Sequence, residues 1–479
     1  MKLFHPIILL RPGQPPLPVS PLTTKFSPCH RRANASLLRR PSNLEGCVPR
    51  YDVPMLADRL APVLVLLLPV LFMHAKAVAE VAMALLGLAY LLRCAWAGDW
   101  RWLRQGWVKL GAAWWLWLVL CSLPGIGIGG WHSFVQALAA VRFLLLVAAL
   151  EHWLLRDAVW RRRLQAVLAA AALYIGLNAL LQLVAGTNMW GWPRSHDGAL
   201  TGPFGKARAG TPLSRLLFPA LLPPASRLLA RRRWPATLAA GALAMTGVGT
   251  IVLIGQRTPL LLTLLGLLVS GLLLRRLRPI VLVCLIAGGA LLAVTPVISP
   301  PTWYRLVTKF TLQMNMFPDS DYGLIGARAV VIAAQHPVFG QGYDGFRNAC
   351  PDLRTWEAWP QARLNFWDGG GAAICNIHPH NHYLQAVTDA GLPGLVLFCA
   401  LVVAWLRGLL RGLGRDPDPL RVGLFVGVLM ELWPIASTNG LYDTEIMGFM
   451  YVMLGLGLAC ARAAASTSPT SPAGSMPTT

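Results

Sequence analysis

The chain is poor in charged residues, and acidic residues are the scarcer sign. Charged residues make up 13% of its 479 positions, with 20 acidic against 42 basic side chains, whereas about a quarter of the residues of a soluble domain are charged. Together with a hydrophobic content of 55%, this shortage argues against a water-soluble protein and favours a membrane protein. The sequence also lacks a glycine-rich loop ending in Lys-Ser or Lys-Thr and lacks a dinucleotide fingerprint, so it indicates neither an ATP-driven pump nor a dinucleotide-binding domain.

The net charge of +22 could suggest a nucleic-acid partner. However, the basic residues are not gathered on one segment that could follow a phosphate backbone. They recur in short groups between apolar stretches, which is the pattern of cytoplasmic loops in membrane proteins. We therefore expect membrane lipids, and no nucleic acid, around this chain.

The apolar stretches predict an all-α, polytopic membrane protein with about 12 transmembrane helices, since a span needs about 20 apolar residues. Basic loops alternate with weakly charged loops, which places both termini in the cytoplasm. The predicted spans are residues 57–73, 77–95, 107–123, 134–155, 163–184, 212–229, 236–254, 258–274, 279–297, 391–411, 420–437 and 443–462.

These spans divide the chain. Residues 1–54 form a disordered, basic cytoplasmic extension, with Met55 as an alternative start. Residues 55–297 carry spans 1–9, residues 391–462 carry spans 10–12, and residues 463–479 form a disordered tail. Between the two membrane portions, residues 298–390 form an outer loop of about ninety residues, far longer than an ordinary connection.

Two of the arginines on the outer side, Arg257 and Arg328, are candidates for function, against the general placement of basic residues. Asp319 and Ser320 can cap a helix over residues 322–335, and Arg328 falls within the apolar stripe of that helix. Arg257 lies in a tight outer turn between two spans. Each guanidinium could simply reach lipid headgroups, or it could present its planar set of five donors to a phosphate.

A histidine-rich segment ends the outer loop. Residues 378–382 read His-Pro-His-Asn-His, and Asn381 can cap a short helix over residues 382–390 that Gly391 would end in a left-handed conformation. His380 at the start of this helix could accept a proton near neutral pH. Two other interpretations remain open: three polar interface residues, or a metal site, although no carboxylate or cysteine lies at a familiar zinc spacing.

Two of the nine cysteines, Cys350 and Cys375, fall in the outer loop. Outside the cytoplasm disulfides persist, so we expect these two to be bonded, which would tether the segment before His378. The alternative is two free, buried thiols.

These elements together resemble the O-antigen ligase and Wzy-like O-antigen polymerase superfamily. His380–Asn381, nine residues, and then Gly-Leu-Pro-Gly at 391–394 resemble the His-Asn-x9-Gly-x-x-Gly signature of O-antigen ligases. Arg328 followed by His-Pro-Val-Phe-Gly-Gln-Gly-Tyr-Asp-Gly-Phe at 336–346 resembles a second segment of the superfamily.

Two further elements match less closely. Gly-Gln-Arg at 255–257 takes the place of an outer-turn Ser-Arg element, with Gln256 instead of Ser. Thr-Gly-Pro-Phe-Gly at 201–205 resembles a Gly-x-Phe loop, but the Pro-Asn that often follows is replaced by Lys206-Ala207-Arg208.

The resemblance implies a GT-C-like glycosyltransferase in the bacterial inner membrane, with a large, partly helical periplasmic loop and a periplasmic active site. Its partners would be an undecaprenyl-diphosphate-linked glycan as donor and lipid A–core or another envelope acceptor, and transfer would proceed with inversion and without metal or cofactor. By residue, Arg257 and Arg328 would bind the donor diphosphate and His380 would be the general base. Asn381, His378, Lys206 and Arg208 would support the site.

Three other functions stay open on the sequence. A Wzy-like polysaccharide polymerase and a protein O-oligosaccharyltransferase share the superfamily pattern and differ in the acceptor. A small-solute transporter, for a solute such as bicarbonate, belongs to another class. A transporter would not need an outer histidine beside two outer arginines, and the scarcity of acidic residues in the spans argues against ion-coupled transport.

Overall fold

A computed structural model describes residues 53–351, 375, 378–414, 417–436 and 439–467. Its regular elements are helical. The first ten helices are α1 (Val53–His74), α2 (Lys76–Ala97), α3 (Gly106–Cys121), α4 (Gly130–Ala139), α5 (Val141–Ala149), α6 (Ala158–Ala185), α7 (Gly210–Ala230), α8 (Trp234–Ile254), α9 (Arg257–Leu273) and α10 (Arg278–Ile298). The later helices are α11 (Pro300–Trp303), α12 (Lys309–Asn315), α13 (Asp321–Gln335), α14 (Gly345–Ala349), α15 (His382–Leu410), α16 (Pro419–Glu431) and α17 (Thr444–Thr467).

Helices long and apolar enough to cross a membrane confirm a polytopic membrane protein. The described residues contain seven such segments: Lys76–Ala97, Gly130–Leu154, Ala158–Ala185, Trp234–Ile254, Arg275–Ile298, His382–Leu410 and Thr444–Ser466. Two shorter apolar helices are α3 and α9. Each of the twelve predicted spans overlaps a helix, while the number that cross the bilayer stays a prediction.

The chain termini lie mostly outside the described residues, so most of the two predicted disordered segments cannot be compared with the structure. The exceptions are helical. Helix α1 begins at Val53, and α17 continues to Thr467, five residues past the predicted boundary at 462. The run Ala463–Ala464–Ala465 explains this extension, because alanine has the highest helix propensity.

Helix α17 lies at the centre of the bundle, with Met447, Val452 and Leu454 fully buried. Close to it, α16 packs along α7. A side chain added at Gly427 would come within 2.9 Å of the backbone oxygen of Arg215, so the two helix backbones approach closely, as small residues allow between membrane helices. This contact brings the outer end of α16 beside α7.

The long helix α15 consists of two helical segments that are separated by a kink at Gly391. Asn381 caps its start, since its side-chain oxygen accepts from the backbone N–H groups of Tyr383 (2.9 Å) and Leu384 (3.1 Å). Gly391 interrupts it with φ 66° and ψ −171°, and a Cβ there would lie 2.2 Å from the oxygen of Val338. Only glycine satisfies both the left-handed backbone and this contact. The predicted short helix before the tenth span is therefore present.

Helix α13 also begins where its sequence predicts. The hydroxyl of Ser320 accepts from the N–H of Gly323 at 3.2 Å, and the helix runs over Asp321–Gln335, one residue earlier than expected. The outer segment 298–390 is thus partly helical, as predicted.

Candidate functional site

His380 occupies a sharp bend immediately before α15. Its backbone is left-handed, with φ 52°, a conformation that costs a residue other than glycine about 1–3 kcal/mol and that is concentrated at functional sites. The following Asn381 is extended. The bend brings the ring of His380 within 4.6 Å of the His378 ring and 5.7 Å of the Tyr322 ring, measured between centroids. His380 is therefore placed by the surrounding chain and remains partly exposed.

The segment at the outer end of α16, residues 431–436, supports this bend; we call it the α16 shelf. The side-chain amide of Asn381 donates to the backbone oxygen of Pro434 at 2.7 Å. The hydroxyl of Tyr383 donates to the backbone oxygen of Leu432, also at 2.7 Å. The residues on either side of His382 are therefore attached to the same short stretch of chain.

A buried charge cluster completes the attachment. His382 Nε2 lies 3.4 Å from a carboxylate oxygen of Glu431, and Arg215 Nε on α7 lies 2.8 Å from the other oxygen. All three side chains are at most 3% exposed. Buried ionisable groups inside a membrane protein are costly and usually functional. His382 was not assigned a role from the sequence, and neither Arg215 nor Glu431 was predicted as a site residue. The available signal was Arg215, a basic residue near the start of the predicted apolar span 212–229.

The alternative interpretation of the three histidines as a metal site finds no support in this geometry. Among the residues that the structure describes, no three His, Cys, Asp or Glu side chains are grouped to hold a metal ion. His382 faces Glu431 in the interior, whereas the rings of His378 and His380 contact each other.

The two sequence segments that carry the resemblance are joined backbone to backbone. The N–H of Gln341 donates to the oxygen of Thr388 at 2.8 Å, and the N–H of Leu392 donates to the oxygen of Pro337 at 2.7 Å. The first bond satisfies a carbonyl group, and the second an N–H group, that the break at Gly391 leaves without a helical partner. The 336–346 segment is thus hydrogen-bonded to the end of the short helix that follows His380.

Arg257 opens α9 on the same side of the molecule. Its guanidinium donates to the side-chain oxygen of Gln313, and it lies within electrostatic reach of Tyr322 and Asp197. Tyr322 contacts the ring of His380 as well. The structure therefore brings the predicted arginine and the predicted base near the same tyrosine.

A further arginine of the predicted outer loop, Arg305, was not among the predicted site residues. Its Nε donates to the backbone oxygen of Gly255 at 2.8 Å, and its guanidinium forms an ion pair with Asp197. Burial alone would raise the pKa of Asp197, but the hydrogen bond from Ser195 and the Arg305 charge lower it below its usual range. Arg305 carries the same sequence signal as Arg257, a basic residue on the outer side.

The loop that carries Lys206 and Arg208 is attached to the same outer turn. The side-chain amide of Gln256 donates to the backbone oxygen of Ala207, and Arg208 forms an ion pair with Glu445. Lys206 is exposed. The glutamine that replaces serine in the outer-turn element therefore fixes this loop next to Arg257.

Arg328 is in a different environment from Arg257. It is 1% exposed, and its Nη2 donates to the backbone oxygen of Cys350 at 2.6 Å. Cys350 forms a disulfide with Cys375, with their Cα atoms 5.5 Å apart. In this conformation Arg328 holds the segment that the disulfide connects to the region before His378.

The geometry places a partly exposed histidine and Arg257 around Tyr322, within the segments that carry the resemblance. Residues 231–399 match the family model described as O-Antigen ligase. No curated protein matches the chain. Members of the matched family are enzymes that transfer glycosyl groups. Residues 231–399 are therefore similar to the O-antigen ligase family, and the resemblance to the O-antigen ligase and Wzy-like polymerase superfamily is confirmed.

Proposed function

We propose that this protein transfers a glycan from undecaprenyl diphosphate to lipid A–core at the periplasmic face of the bacterial inner membrane. The observation that carries the proposal is the position of His380 and Arg257 near the same tyrosine, Tyr322, inside the region that matches the O-antigen ligase family model.

In the proposed reaction, His380 removes the proton from the acceptor hydroxyl as the hydroxyl oxygen attacks the anomeric carbon of the donor sugar. The bond between that carbon and the diphosphate oxygen breaks, which leaves undecaprenyl diphosphate and a protonated His380. A positioned base contributes about 10²–10⁴-fold to such a step. Attack opposite the leaving group would invert the anomeric carbon.

The negative charge on the departing diphosphate would be stabilised by arginine. Arg257 is half-buried at the outer end of α9 and would contact the phosphates directly. Arg328 would contribute its charge from the interior in this conformation, because it is enclosed and bound to Cys350. With two such cations, the reaction would not need a metal ion.

The supporting residues would hold His380 and Arg257 in place. Asn381 fixes the start of α15 on the α16 shelf, and His378 packs against the ring of the proposed base. Lys206 and Arg208 lie on the loop that Gln256 attaches beside Arg257, where they would meet phosphate or lipid headgroups.

The test is a lipopolysaccharide gel from a deletion strain that is complemented with the wild type, His380→Ala or Arg257→Ala, with protein levels checked by immunoblot. His196→Ala is a matched control, because His196 is an exposed histidine of the outer loop at 185–211. We expect the wild type and the control to restore the glycan ladder and the two site variants to fail.

The material that accumulates identifies the reaction. Full-length glycan on undecaprenyl diphosphate beside free core supports the ligase, whereas single repeat units would indicate a polymerase. A normal ladder in the deletion strain would refute the ligase and direct attention to a protein acceptor or a transported solute. Nuclear magnetic resonance of the product linkage tests inversion.

A further inference from the structure

A cavity of about 750 Å³ opens at the end of the helix bundle opposite the candidate site. The last turn of α7, the first turns of α6 and the end of α9 line it. The other end of α9 begins with Arg257, and the other end of α7 follows Arg208 directly in the chain. The same helices therefore border the candidate site at one end and this cavity at the other.

The wall of the cavity is strongly basic. It contains one acidic side chain, Asp418, and five arginines: Arg161, Arg162, Arg227, Arg275 and Arg276. Arg161 donates to the backbone oxygens of Leu155 and Arg156.

The remaining four arginines form no hydrogen bond or ion pair with the residues that the structure describes. All four residues are exposed to solvent, and together they line one concavity. Because like charges repel, such a grouping is favoured when an anion is bound between them.

Apart from Gln165 and Ser226, the rest of the wall is apolar. Leu273, Leu277 and Leu420 line the cavity together with Pro223 and Ala158. A free phosphate would use only the arginines, whereas a phospholipid would place its phosphate among them and its acyl chains along the leucines. The arginines also belong to the loops that the charge pattern predicts to be cytoplasmic, at the depth of the lipid headgroups.

We propose that this cavity binds the phosphate groups of an anionic glycerophospholipid of the cytoplasmic leaflet. Basic pockets between membrane helices on this side suit such headgroups, and each arginine contributes about 1 kcal/mol of attraction. The volume lies within the range of small-molecule sites, about 300–1,000 Å³. The proposal does not depend on the glycan or acceptor of the outer site.

The test uses the purified full chain in detergent. Thermal unfolding midpoints and native mass spectrometry are recorded while cardiolipin, phosphatidylglycerol, phosphatidylethanolamine or inorganic phosphate is added. The test variant is Arg275→Gln with Arg276→Gln. The matched control is Arg231→Gln with Arg233→Gln, which removes the same charge from exposed positions at the same end of the bundle and outside the cavity lining.

We expect the anionic lipids to raise the midpoint and to remain bound in the wild type and the control. In the test variant the half-saturating lipid concentration should rise by about thirtyfold, the loss of two attractions of about 1 kcal/mol each. If the double variant does not fold, Arg227→Gln alone should raise that concentration about fivefold.

Three results would overturn the proposal. Equal weakening in test and control variants would mean general surface charge. Equal retention of phosphatidylethanolamine would mean apolar contact only. A stabilisation by inorganic phosphate as large as that by lipid would assign the cavity to a free anion.

Discussion

Replacing Glu431 by glutamine removes the charge that joins Arg215 and His382. The two charged groups lie 2.8 Å apart and are almost fully buried. At an effective dielectric constant of about 20 their attraction is about 6 kcal/mol, against which each ion has a desolvation penalty of several kcal/mol. Removing one partner leaves the other charge buried and unpaired, which typically lowers the free energy of unfolding by about 3–5 kcal/mol. We expect Glu431→Gln to lower the free energy of unfolding by about that amount.

The assay is reversible unfolding in detergent for Glu431→Gln, Arg215→Met and the double variant. Because the double variant contains no unpaired charge, its loss should be well below the sum of the two single losses, a coupling of at least about 2 kcal/mol. Asp99→Asn is a control that breaks an exposed pair with Arg101 and should change stability little. Additive losses in the double variant would refute the ion-pair argument.

Glycan transfer by these variants separates two roles for the cluster. If the cluster only stabilises the bundle, the double variant should recover transfer together with stability. If it positions the start of α15, transfer should stay low when stability has recovered, because the charged contact to His382 is absent.

Three more perturbations follow from the outer elements. Replacing Cys350 and Cys375 by serine should lower the free energy of unfolding by about 3 kcal/mol, since their disulfide closes a loop of 25 residues. Thiol labelling of both cysteines in the wild type without reductant would contradict the disulfide. The pKa of Asp197 is lowered in the folded state, so its unfolded form binds protons first as the pH falls. Its stabilising effect should therefore be complete above its ordinary pKa and be lost progressively as the pH falls from there through its lowered folded-state pKa. A pH series comparing Asp197→Asn with the wild type tests this, and a constant difference at all pH values would refute it. Gly391→Ala should destabilise the protein by more than the about 1–2 kcal/mol that a left-handed backbone costs an alanine. The reason is that the added methyl group would also lie 2.2 Å from the backbone oxygen of Val338. An unchanged unfolding midpoint would contradict this prediction.

Much of the framework was predictable because the relevant signals are local. Ser320 and Asn381 cap the helices that follow them, since an N-cap side chain bonds to backbone groups only two or three residues away. Gly391 interrupts α15 because glycine readily adopts the positive φ that this kink requires. The boundary at 462 was wrong because the polar composition of the tail obscured a run of alanines.

The roles of the arginines were less predictable. Arg257 and Arg328 share one sequence signal, a basic residue on the outer side, yet one is half-buried beside Tyr322 and the other is enclosed against Cys350. Burial of a side chain depends on what packs over it, and residue spacing along a helix does not report that.

By itself, the sequence determined that the chain is a helical membrane protein, where most of its helices begin and end, and which segments carry the family pattern. These properties follow from the length of apolar stretches and from contacts within a few residues. Only the tertiary structure decided that Arg215, Glu431 and His382 meet, that the 336–346 segment closes the short helix after His380, and that four arginines converge on one cavity. Such contacts join side chains on different helices, and they arise from the packing of those helices, for which residues distant in the chain leave no local signal.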